Sequence, residues 1–341
     1  MSARSLQIDT LRGLACVLLV TFHTIGMDAR TGLRVPDDHA LRLFSDVFVY
    51  LRMPLFAFLS GYVYALRPIT GDLQSFMGGK ARRLLIPMLS VGTLFAIVQT
   101  ITPGTNAGGY NWYLLHIEPV AHYWFLESLF LIFLLVASLE KLGWLRSGPT
   151  FLVVWIAAAA AFCVDAVPVY FGLKGALYLL PFVLLGIASR RFGADLSDAL
   201  VRACAAALFG AISIYALLRG AGLPSNQSLL ALGLGSCACV FLLRTRMQID
   251  RLARLGAYSF SIYLFHSVFS AASRILLGRA FDLSLWPLLV AGIAAGLALP
   301  VLVEWTIRRT RFSIGLLMIG QRPKARSPAE RESNPSSLTP L

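Results

Sequence analysis

An arginine and a histidine stand eleven positions apart in the opening apolar run, Ile8-Asp9-Thr10-Leu11-Arg12-Gly13-Leu14-Ala15-Cys16-Val17-Leu18-Leu19-Val20-Thr21-Phe22-His23. On an α-helix that spacing turns through about 1100°, three turns plus about 20°, and rises about 16 Å. Arg12 and His23 therefore share one helix face, and Asp9 lies one turn before Arg12 on nearly the same side. Ionisable groups are costly in lipid and usually face a bundle interior or a water-filled cavity. An imidazole exchanges protons near neutral pH, so this face offers acid–base chemistry or a polar path across half a membrane. A plainer arrangement is open too, with Arg12 snorkelling to the interface beside Asp9 and His23 hydrogen-bonded to a neighbour.

Such a face needs spans to hold it. The 341 residues are 57% hydrophobic and only 14% charged, with a mean hydropathy of +0.72, where soluble domains carry about 25% charged residues. This composition excludes a soluble multidomain protein, a disordered chain and a disulfide framework. The expected class is an all-α, polytopic membrane protein. A bilayer core of about 30 Å takes roughly 17–25 apolar residues per helix. By that rule ten transmembrane helices are expected, over residues 8–27, 43–66, 84–102, 119–139, 150–169, 173–188, 200–218, 229–243, 255–276 and 285–307.

The charge pattern orients those spans. Net charge is +13, and with ten spans 21 of the Lys and Arg fall on the side of the N-terminus against 7 on the other, so both termini are expected in the cytoplasm. The basic residues lie between apolar runs, where they meet anionic headgroups; a nucleic-acid partner is not expected. The first run lacks a basic leader and a small-residue cleavage site, so it should stay in the membrane. Residues 1–320 read as a single transmembrane domain and 321–341 as a disordered cytoplasmic tail. The five cysteines lack metal-ligand spacing and read as small apolar side chains, so no metal is expected.

With this orientation Arg52 of the second span, and His122, Trp124 and Glu127 around the start of the fourth, lie at the depth of His23 in the outer half. The Gly-rich stretch 102–116 with Tyr110, Trp112 and Tyr113 faces the same side. Lys80, Arg82 and Arg83 precede the third span on the inner side, with Pro87 in its first turns. His266 sits in the ninth span near Tyr263, as a core or cavity hydrogen-bonding residue more than a second base. Each group has a structural reading as well. Arg52 and Glu127 could be a buried ion pair, the basic cluster an inner-side anchor and the loop aromatics an interfacial belt.

The chain resembles the acyltransferase-3 family of membrane proteins, which transfer acyl groups to sugars across bacterial membranes. The likeness rests on Arg12, ten residues, then His23; on Arg52-Met53-Pro54-Leu55-Phe56-Ala57-Phe58-Leu59-Ser60-Gly61-Tyr62; on Lys80-Ala81-Arg82-Arg83, where the family often has Arg-x-x-Arg; on Trp124-Phe125-Leu126-Glu127; and on Gly256-Ala257-Tyr258-Ser259 through Tyr263-Leu264-Phe265-His266. The resemblance implies a bacterial inner-membrane enzyme taking an acetyl group from cytoplasmic acetyl-CoA to a hydroxyl of an extracytoplasmic or lipid-linked carbohydrate.

Under that reading His23 is the base or a transient acyl carrier, Arg52 steadies an oxyanion and Glu127 orients His23. Lys80, Arg82 and Arg83 grip the donor phosphates, with Arg12 continuing the cationic path toward His23. Trp124, His122 and Trp112 meet the acceptor. Succinyl or another acyl group stays open, as do a homo-oligomer and a transporter or flippase for an anionic or sugar-bearing substrate built on the same intramembrane residues.

Overall fold

The computed structural model describes residues 6–321, leaving out 104, 106–108, 194–198, most of 200–224, 282 and 311. The described residues form twelve α-helices: α1 (Leu6–Ile25), α2 (Ala40–Val47), α3 (Val49–Leu66), α4 (Leu73–Ile101), α5 (Trp124–Lys141), α6 (Gly148–Phe162), α7 (Leu173–Arg191), α8 (Leu229–Arg244), α9 (Asp250–Ala257), α10 (Ser259–Phe281), α11 (Leu285–Thr310) and α12 (Ser313–Met318). The chain is an all-α, polytopic membrane protein. Among the described residues seven helical stretches are long and apolar enough to cross a membrane: Leu6–Ile25, Ala40–Leu66, Leu73–Ile101, Ala121–Lys141, Tyr170–Arg191, Ser259–Phe281 and Leu285–Thr310.

Seven replaces the expected ten. α6 and α8 are apolar but have 15 and 16 residues, so they reach about 22 and 24 Å and fall short of a bilayer core of about 30 Å. The stretch 200–218 lies for the most part outside the described residues, as does the tail from 322. Two boundaries also move. α4 begins at Leu73, so Lys80, Arg82 and Arg83 ride on the helix and Pro87 falls in its interior instead of its first turns. The expected ninth span is two helices, α9 and α10, broken at Tyr258.

Helix crossings in this bundle are set by missing side chains. A Cβ at Gly61 would overlap the Val183 carbonyl and one at Gly186 the Phe58 carbonyl, so α3 and α7 meet backbone to backbone. The same holds for α1 and α9, where Gly13 abuts the Leu252 carbonyl and Gly256 the Asp9 carbonyl. In lipid, where apolar contact alone does not drive helices together, such small-residue seams allow the close packing that does. α1 also touches α3, α10 and α11, so the helix carrying Arg12 and His23 is enclosed by neighbours on most sides.

Candidate active site

His23 stands in the last turn of α1, His122 in the 3₁₀ turn that leads into α5, and His266 on α10. The three rings converge. Centroids of His23 and His266 are 4.9 Å apart, those of His122 and His266 4.8 Å, and those of His23 and His122 5.7 Å.

Carbonyl oxygens only accept hydrogen bonds, which fixes the tautomers of two of these rings. His266 Nδ1 lies 2.9 Å from the carbonyls of Ile262 and Tyr263 and must carry the proton, leaving Nε2 as a lone pair 3.1 Å from Ser267 Oγ. His122 Nε2 donates to the Tyr263 carbonyl at 3.1 Å, so its Nδ1 is a lone pair, 3.5 Å from the same Ser267 Oγ. Ser267 has a single proton, and the shorter contact assigns it to His266. The Nδ1 of His122 is left without a close donor among the described residues. His23 makes no ring hydrogen bond among the described residues; Phe22 packs edge-on against it at 5.0 Å.

His23, His122 and Ser267 line a cavity of about 630 Å³ that also takes in Arg52, Trp124 and Tyr178. Thr31, Gly32 and Tyr110 line it as well. The Tyr110 hydroxyl donates to Gln99 Oε1 at 2.7 Å. Arg52 is buried, with its guanidinium carbon 3.4 Å from the Phe22 ring centroid and Nη1 3.4 Å from Ser45 Oγ. A cation so placed, over a ring and facing a cavity, is held by π-electron attraction and keeps hydrogen-bonding capacity for a ligand. Just behind, Arg42 is 2% exposed and donates from Nη1 to the Gly26 carbonyl, securing the chain where α1 ends beside His23.

The remaining expected site residues are not among those that line this cavity. Glu127 is buried on α5, and both its carboxylate oxygens lack a hydrogen-bond partner among the described residues, so neither His23 nor Arg52 bonds to it here. Trp112 is 48% exposed on its loop; its neighbour Tyr110 reaches the cavity instead. Lys80 folds its ammonium 3.3 Å over the Phe133 ring, Arg82 is half-buried and Arg83 is exposed, all near the far end of α4 from Phe95 of the cavity wall. From Arg83 to Phe95 the helix rises about 18 Å.

Arg12 pairs with Asp9 at 3.3 Å and does not line the cavity. Cys16, between Arg12 and His23 on the shared face, is completely buried with Sγ 3.9 Å from the Ser259 carbonyl. The wet passage expected along this face is therefore closed at Cys16, because Ser259 at the head of α10 packs straight onto α1.

Ser267 and Tyr178 were not expected from the sequence. Tyr178 sits in an apolar run with Lys174 one turn before it, and Ser267 gains meaning only from the two imidazoles it bridges.

No solved structure matches the chain. Two curated relatives are the nodulation protein NolL of Mesorhizobium japonicum, 26% identical over 185 residues, and that of Sinorhizobium fredii, 27% identical over 190 residues. Each alignment covers 54% of this chain, and the chain spans about half the length of these relatives, 47% and 48%. The acyltransferase-3 profile, described as an acyltransferase domain, matches residues 5–305. By that match, across helices that bring the opening Arg–His helix and the Tyr263–His266 segment to one bundle, the chain belongs to the acyltransferase-3 family of membrane acyltransferases.

Proposed function

We propose that this protein transfers an acyl group, acetyl by preference, from acetyl-CoA to a hydroxyl of an extracytoplasmic or lipid-linked carbohydrate in a bacterial inner membrane, with His23 as the base. The observation that carries this reading is an imidazole with no hydrogen bond from the described residues at the wall of a 630 Å³ cavity, beside a second imidazole and a buried guanidinium. The acceptor hydroxyl gives its proton to His23 as its oxygen attacks the thioester carbon; the C–S bond breaks, the C–O bond forms, and the proton passes to the departing thiolate. Arg52, on the same wall, offsets the charge that develops on the carbonyl oxygen.

The donor is a polyphosphate, and the basic residues at the opposite end suit it in part. Arg83 is exposed and Arg82 half-exposed, whereas Lys80 would have to leave the Phe133 ring. With that end toward the cytoplasm, as the loop charges favour, the acyl group must pass the level of Cys16. The contact between Cys16 and Ser259 then has to open during the cycle.

The deciding experiment uses the full chain in lipid nanodiscs with radiolabelled acetyl-CoA and a pool of bacterial glycolipid. Wild type should cleave the thioester and label the glycolipid, and His23→Ala should lose both while keeping its melting temperature. Turnover that survives in His23→Ala, or acceptor transport without thioester cleavage, would overturn the reading.

A further inference from the structure

A second cavity of about 480 Å³ lies beside the histidine cavity, and the two share a wall made by Ala121, Trp124, Tyr178 and Asn226. Gly175 lines it and lets the Trp124 ring pack close against α7: a Cβ there would run into that ring. Both chambers are within the size range of small-molecule sites.

The dividing wall carries unspent polar groups. Aromatic residues withdrawn from water normally commit their N–H or O–H to a partner, and several in this bundle do, although the buried Tyr64 hydroxyl has none among the described residues. Trp155 donates to the Pro181 carbonyl at 3.1 Å, Tyr123 to the Leu264 carbonyl at 2.7 Å and Tyr263 to the His122 carbonyl. At the shared wall, the Trp124 indole N–H and the Tyr178 hydroxyl make no hydrogen bond among the described residues. Tyr178 stacks one face on Phe162, with centroids 5.4 Å apart, and both it and Trp124 line the chambers as apolar rings with a donor at the edge. A pyranose ring is the matching ligand, with an apolar C–H face and a rim of hydroxyls.

The charge of the smaller chamber narrows the choice. Its basic residue, Lys174, is tied to Asp165 at 2.8 Å, and Glu118 lines the same chamber. The chamber therefore suits a neutral sugar and disfavours a phosphorylated or carboxylated one.

We propose that the two chambers are consecutive sugar sites and that the acceptor is a glycan of at least two rings, the ring in the smaller chamber being neutral. The ring bearing the reactive hydroxyl sits in the histidine chamber, and its neighbour sits in the smaller chamber against Trp124 and Tyr178. This rests on the carbohydrate reading above and adds the acceptor's minimum size and the charge of that ring.

The test is calorimetric binding to the full chain in nanodiscs free of glycoside detergent, without acetyl-CoA. The probes are methyl glucoside, methyl galactoside and methyl mannoside, each paired with its two-ring homologue. At least one two-ring probe should bind tenfold or more tightly than its one-ring partner. Val169→Trp, which fills the smaller chamber from an exposed position, should abolish that advantage and leave one-ring affinity and melting temperature unchanged. Gln227→Ala, on the same chamber, should reduce it in part.

The proposal fails if no two-ring probe gains over its partner, or if the gain survives Val169→Trp at full size. Thioester turnover is read separately. Turnover that depends on His23 with no two-ring advantage defeats the chamber proposal alone; a two-ring advantage without turnover supports the chambers and defeats the transferase reading.

Discussion

At the end of the bundle where α1 begins, carboxylates and guanidiniums are matched: Arg12 with Asp9 at 3.3 Å, Arg191 with Glu140 at 2.6 Å, Arg308 with Glu304 at 2.7 Å, and Ser261 Oγ with Glu304 at 2.5 Å. At the end where α1 finishes, His23 has no hydrogen bond to its ring among the described residues, Glu127 has none to its carboxylate, and Trp124 and Tyr178, which line the cavities, have none to their donors. Buried polar groups are nearly always satisfied in folded proteins, so a cluster of exceptions marks a place kept for a ligand. The matched end secures the helices and the unmatched end waits for chemistry. If that contrast is real, damage at the two ends should separate into stability and activity.

The largest expected effect breaks the matched end. Glu140→Ala leaves the half-buried Arg191 guanidinium, among the described residues, with the Leu145 carbonyl alone, 2.9 Å from Nη1. Removing one partner of a buried pair costs about 3 kcal/mol. Thermal unfolding in nanodiscs should show a clear fall in midpoint, while turnover per folded molecule stays at the wild-type level. A fall in turnover with an unmoved midpoint would place chemistry at the end assigned to structure.

Next comes the unmatched end. His122→Gln removes the basic ring nitrogen from the cavity wall and keeps a donor for the Tyr263 carbonyl. Losing a positioned acid–base group lowers turnover about 100-fold, and the unfolding midpoint should barely move. Equal losses of midpoint and activity would erase the contrast between the ends.

How far all this was legible in the sequence follows from what each signal depends on. Membrane class and most helices came from apolar runs, which are local. The count of spans did not follow, because α6 and α8 are apolar yet short, and hydropathy measures composition better than it measures where a helix stops. The Arg12–His23 face was readable from helical periodicity, but its closure was not, since Ser259 reaches Cys16 from 243 residues away. His122 and His266 could each be seen as polar groups in apolar surroundings. Their convergence on Ser267 depends on two helices crossing, which no spacing within either segment reveals. Glu127 was expected beside His23 because both sit at similar depth, yet depth says nothing of which way around a helix a side chain turns.

Arg42 sharpens the comparison, because it is a cation at the unmatched end with a structural task. It is buried under α1's last turn and holds the Gly26 carbonyl, with Asp37 3.9 Å from its Nε. A charged hydrogen bond of this kind contributes about 2 kcal/mol, so Arg42→Ala should lower the unfolding midpoint by less than Glu140→Ala does. Arg42→Lys should recover part of the loss. Turnover per folded molecule should fall modestly in Arg42→Ala, because the turn that follows His23 loosens. An unchanged midpoint would show that Gly26 finds another donor.

The smallest effect concerns His116, in the loop between α4 and α5, outside the spans. Thr93 Oγ1 donates to the Leu89 carbonyl at 2.6 Å, so the 2.8 Å contact with His116 Nε2 is made by the imidazole N–H. Nδ1 is then a buried lone pair with no partner among the described residues, and a proton placed there meets no acceptor. Burial accordingly pushes the His116 pKa below its usual 6.5. With the folded pKa depressed, the unfolded chain binds more protons below pH 6.5, and stability rises with pH through that range. The contribution is complete above pH 6.5 and is lost progressively on acidification. His116 has φ of +67°, a conformation asparagine tolerates, so His116→Asn is the variant to compare. Its unfolding midpoint should fall less steeply than that of wild type between pH 7 and pH 5. Parallel slopes would mean that the acid sensitivity of the unmatched end resides in groups other than this loop histidine.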